Sequence, residues 1–77
     1  MKGYQIIKKE ELSQCKGFKR VDFRDTVFSL ISNLPNGSGD CHDMAIINNE
    51  KRQYMTYCRE SPFGKAVVNL MSAQKML

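Results

Sequence analysis

Four side chains in this sequence carry the atoms for metal or nucleophilic chemistry: Cys15, Cys41, His42 and Cys58. Together they make a formal Cys3His set for zinc. Their spacing argues against it. No Cys-x-x-Cys pair is present, and Cys41 and His42 are adjacent, which on a strand would send them to opposite faces. Three cysteines are also an odd number, too few and too scattered for a disulfide framework. The expectation is three small thiols and no metal. Cys41-His42-Asp43 holds the atom types of a thiol nucleophile and its base, but such pairs act through space and not through sequence adjacency. His42 is the only histidine in the chain. It reads as a loop-end side chain near Asp40 and Asp43. Asn36-Gly37-Ser38-Gly39 contains a bare Gly-x-Gly, with neither a third glycine nor the Gly-Lys-Ser/Thr of a phosphate loop. No cofactor is expected, and the chain reads as a non-enzyme.

The remaining candidates are surfaces. The chain has 77 residues and a net charge of +4. All of that charge lies in the first quarter. Lys2, Lys8, Lys9, Lys16, Lys19 and Arg20 there face only Glu10 and Glu11, whereas cations and carboxylates balance over residues 21–77. Lys16-Gly17-Phe18-Lys19-Arg20 sets an aromatic ring among cations, and Lys51, Arg52, Tyr54, Tyr57 and Arg59 repeat the mixture later. Such mixtures can stack bases and neutralise phosphates. No helix carries the row of basic residues that a major groove would need.

These residues need elements to hold them. Gly3 to Ile7 reads as a short strand with Tyr4 and Ile6 on one side. Lys9 to Cys15 reads as a short helix that Gly17 ends in a left-handed cap. Over residues 22–34, Asp22 is an N-cap, Asp25 sits in the first turn, and Phe23, Val27, Leu30, Ile31 and Leu34 draw one apolar stripe. Pro35 to Asp40 is a loop. His42–Ile47 and Gln53–Cys58 read as the strands of a β-hairpin turning at Asn48 to Lys51; a continuous helix over 44–59 is the competing pattern. Ser61-Pro62 opens a last helix, with Ser as N-cap and Pro in the first turn. Gly64 weakens that turn. Its apolar face is Phe63, Val67, Leu70 and Met71, broadened by Ala66, Val68, Ala73, Met76 and Leu77. The expected fold is α+β: one domain over 1–77, with two to three helices on a short antiparallel sheet that includes the 42–58 hairpin.

A domain of this length buries only about 60% of its unfolded surface, so a deep walled pocket is hard to build. Apolar residues make up 42% and charged residues 26%, which excludes a disordered chain. The longest apolar run, Met44-Ala45-Ile46-Ile47, is far short of a membrane span. The first residues lack the apolar core of a secretion signal. A cytoplasmic location and no membrane partner are expected.

Size, compactness and the lack of catalytic motifs resemble, in style, the small accessory proteins of phages and other mobile elements. The resemblance implies binding to, and inhibition of, a larger protein. The sequence reading is therefore an intracellular protein-binding module, a regulator or inhibitor. Lys19, Arg20, Arg52, Tyr54, Tyr57 and Arg59 would form the polar contacts, and Met71 and Leu77 the apolar ones. The surfaces offered are the hairpin edge and the C-terminal helix, the latter also able to form a homodimer. The alternative is a small basic DNA- or RNA-binding regulator using the same cations.

Overall fold

The computed structural model describes residues 3–23 and 37–73. Its centre is a four-stranded sheet of β1 (Tyr4–Lys8), β2 (Lys19–Arg20), β3 (Met44–Asn48) and β4 (Gln53–Tyr57), in the order β1-β3-β4-β2. β3 pairs antiparallel with β1 on one side and with β4 on the other, while β2 runs parallel to β4. The sheet is mixed, not purely antiparallel as expected. The reason is topological. β1 ends level with the end of β4, and the connection carries the chain back along the sheet, so β2 begins beside Gln53, where β4 also begins.

β3 and β4 lie a little inside the expected bounds. His42 and Asp43 precede β3, and Cys58 follows β4. A helix across 44–59 is excluded. Beyond Asn48 the chain turns back, with the Lys51 N–H on Asn48 Oδ1 at 3.1 Å and Arg52 at a positive φ of 54°. Asn48 is buried, and its amide nitrogen donates to the Tyr4 hydroxyl at 3.2 Å, tying β1 to the turn.

Alternation along the strands sorts the two faces. Tyr4, Ile6, Met44, Ile46, Met55 and Tyr57 point to one side and pack with Phe23 and the helix. That helix, α1 (Pro62–Ala73), begins where the sequence places it. The Ser61 hydroxyl oxygen accepts the Gly64 N–H at 2.9 Å and donates to the Cys58 carbonyl at 2.6 Å. Phe63 and Val67 are fully enclosed, and Leu70 is packed beside them. This i, i+4, i+7 row faces the protein's own core.

Ala45 and Ile47 point to the opposite side and are also buried. The connection after β1 forms a 3-10 helix (Lys9–Gln14) that lies against β1 and β3. The expected short helix is thus a 3-10 segment. Glu11 holds its start by accepting the Lys8 N–H at 3.2 Å. Gly17 adopts the expected left-handed backbone, φ 86°, two residues beyond the Cys15 cap. The helix expected over 22–34 falls largely on residues 24–36, outside the described residues.

Candidate functional site

β2 is the basic edge of the sheet. The Lys19 N–H donates to the Arg52 carbonyl at 2.9 Å, and the Val21 N–H donates to the Tyr54 carbonyl at 2.8 Å. By alternation the backbone N–H and C=O of Arg20 face away from β4. Lys19, Arg20 and Arg52 are exposed, and none forms an ion pair with a described residue. The Arg52 guanidinium lies over the Phe18 ring, 5.5 Å from its centroid, a contact worth about 0.5–1 kcal/mol at an exposed position. Arg20 Nη2 donates to Thr56 Oγ1 at 3.0 Å, and the same hydroxyl is 2.9 Å from His42 Nδ1. Arg20, His42 and Thr56, with Asp22 and Ser38, line a hollow of about 380 Å³.

Of the eight residues predicted for partner contact, four lie at this edge: Lys19, Arg20, Arg52 and the half-buried Tyr54, with the adjacent Lys19 and Arg20 side chains on opposite faces of the sheet. Two of the others, Tyr57 and Arg59, do not join them. Tyr57 is fully buried in the core and offers no surface. It and Tyr54 are three positions apart on one strand, so they face opposite sides of the sheet. Arg59 is exposed, but it lies beyond the far end of β4 from Arg52, roughly 20 Å along the strand direction. The Met71 side chain and all of Leu77 lie outside the described residues. The hairpin edge proposed for binding is also corrected: β1 and β2 cover both edges of the β3–β4 pair.

A second cluster went unread in the sequence. Cys41 and Cys58 form a disulfide, with Cα atoms 5.3 Å apart, and Cys15 stays free. The expectation of three thiols is overturned, and cysteine usage no longer argues for a reducing compartment. A signal was present. Cys41 lies just before β3 and Cys58 just after β4, so an antiparallel pair with Met44 opposite Tyr57 brings them together. The Cys41 and Cys58 sulfurs and the Asp43 carboxylate lie within 4.8 Å of one another. Neither Cys15 nor His42 belongs to this group, so the Cys3His set does not assemble. The sulfur–sulfur bond occupies both thiols. His42 turns through a positive φ of 47°, which points its ring to Thr56 and its N–H to Cys58 Sγ at 3.1 Å.

Among the described residues no helix is long and apolar enough to cross a membrane. No protein-family model, curated protein or solved structure matches the chain.

Proposed function

We propose that this chain is a non-enzymatic protein-binding module, a regulator or inhibitor of a larger protein, which docks through its β2 edge onto an acidic segment of that partner. The supporting observation is that Lys19, Arg20 and Arg52, all exposed, flank one edge whose Arg20 backbone groups point outward, Lys19 and Arg20 on its two faces. An extended partner segment would pair with those groups, and its carboxylates would meet the three cations. The cations speed encounter and select for acidic partners. They also repel a second copy of the same edge, as charged edge strands commonly do. A homodimer through the C-terminal helix would have to use positions other than Phe63 and Val67, which are already enclosed.

The test is capture of partners on the immobilised chain, with and without nuclease, beside a Lys19→Glu/Arg52→Glu variant that retains the wild-type melting temperature. A dominant protein that survives nuclease and is lost by the variant supports the proposal. Nuclease-sensitive capture transfers the same cations to the alternative, a small basic DNA- or RNA-binding regulator. A protein partner held equally well by the variant overturns the assignment to the β2 edge.

A further inference from the structure

The two sulfurs of the disulfide stand in unlike surroundings. Cys58 is 5% exposed, whereas Cys41 is open to solvent. The Cys58 backbone is held on both sides, its N–H on the Ser38 carbonyl at 2.7 Å and its C=O accepting from Ser61. Two successive backbone N–H groups, of Cys41 and of His42, converge on Cys58 Sγ. The left-handed turn at His42 makes this possible, and converging main-chain amides are a recurrent way to hold an anion. Cys41 Sγ has the opposite kind of neighbour. The Asp43 carboxylate lies 3.5 Å from it, fixed in place by the Arg59 N–H at 2.8 Å. The carboxylate lies within 4.8 Å of both sulfurs, but only Cys58 has the two N–H groups to offset it, so negative charge is better carried on Cys58 than on Cys41.

We propose that Cys41–Cys58 is an exchangeable disulfide with a fixed direction, in which a small-molecule thiol attacks Cys41 and Cys58 departs. The incoming thiolate forms a bond to Cys41 Sγ. The Cys41–Cys58 bond breaks, and its electron pair leaves on Cys58 Sγ, where the two N–H groups receive it. One S–S bond is made and one is broken, so no external oxidant is consumed. Exposure directs the attack to Cys41, and the sulfur that better carries charge is the better leaving group. The product carries the small thiol on Cys41. It also removes the covalent tie between the 37–43 connection and the end of β4. This proposal is independent of the protein-binding reading.

The experiment uses a Cys15→Ser chain, so that the free thiol cannot scramble the result. The oxidised protein is mixed with glutathione at neutral pH and trapped with N-ethylmaleimide. Trypsin cleavage after Lys51 and Arg52 then separates the two cysteines for peptide mass spectrometry. The expected result is glutathione on Cys41 and maleimide on Cys58, at least tenfold over the reverse. Equal labelling, the reverse assignment, or two free thiols in the untreated protein overturns the proposal. If Cys15→Ser does not fold, the wild-type chain alkylated at Cys15 under native conditions gives the same readout.

Discussion

Tyr57 and Phe63 meet edge to face, with ring centroids 5.6 Å apart and planes at 83°. This contact locks β4 to the first turn of α1 and uses the Tyr57 ring alone, because its buried hydroxyl has no hydrogen-bond partner among the described residues. Tyr57→Phe keeps the ring and removes the desolvated oxygen. It is expected to leave stability unchanged or raise it by about 1 kcal/mol. Tyr57→Ala empties a fully enclosed position and is expected to cost about 3–5 kcal/mol. Denaturant unfolding of both variants checks the pair; a large loss in Tyr57→Phe would mean that the hydroxyl has a partner.

The same hydroxyl sets an alkaline limit. Burial, reinforced by the Asp43 carboxylate and opposed by Arg59, pushes its pKa from 10.0 up to about 12. The unfolded chain releases this proton first. Its ionisation therefore leaves stability untouched below about pH 10 and lowers it between pH 10 and 12, by roughly 3 kcal/mol in all. Wild type should lose stability relative to Tyr57→Phe across that window. A difference that stays constant with pH would contradict the assignment.

Gly37 and Gly39 form a matched pair. Both have positive φ, 88° and 76°, but a Cβ at Gly37 meets nothing within 4 Å, while one at Gly39 falls 2.8 Å from Cys58 Cβ and 2.9 Å from its Sγ. Gly37→Ala is expected to cost about 1 kcal/mol of backbone strain. Gly39→Ala adds a collision and is expected to cost clearly more, together with slower reformation of the disulfide after reduction. Equal melting temperatures for the two variants would refute the packing argument.

Gly64 is the most constrained glycine. A Cβ there would sit 2.1 Å from the Cys58 carbonyl oxygen and 2.6 Å from that of Arg59, both backbone atoms that cannot swing aside. Gly64→Ala is expected to destabilise by about 3 kcal/mol or more, although alanine is the better helix former. Circular dichroism melts measure it. A stabilised variant would show that α1 does not lie this close to the 58–59 backbone.

Gly64 also shows what the sequence could and could not reveal. As a helix residue it reads only as a weakness in the first turn; its close approach to Cys58 is a tertiary fact with no local signature. Local signals did register. Ser61-Pro62 marks the helix start, and Phe63, Val67 and Leu70 mark its inward row. Asn48 and its neighbours break the chain between two strand-like runs. The parallel docking of β2 beside β4 was invisible, because two residues carry no periodicity. Tyr54 and Tyr57 show why the candidate surface was only half legible. Composition flags both tyrosines, but only the strand's alternation, once its register is known, separates the surface ring from the core ring. The cysteine bond needed that register too.

The strand order has a consequence for the order of synthesis. β3 and β4 are neighbours along the chain, whereas Tyr4 and its partner Asn48 are separated by 44 positions and Arg20 and Thr56 by 36. On the ribosome, β1 and β2 emerge first and find no strand to join until β3 and β4 have followed them out. The first twenty residues, which hold all the net charge, thus wait without strand partners until residues 44–57 are made, and their lysines keep that waiting segment solvated. The two strands that close the sheet are the first made and the last to find their place, and loop closure over such distances sets the pace of folding.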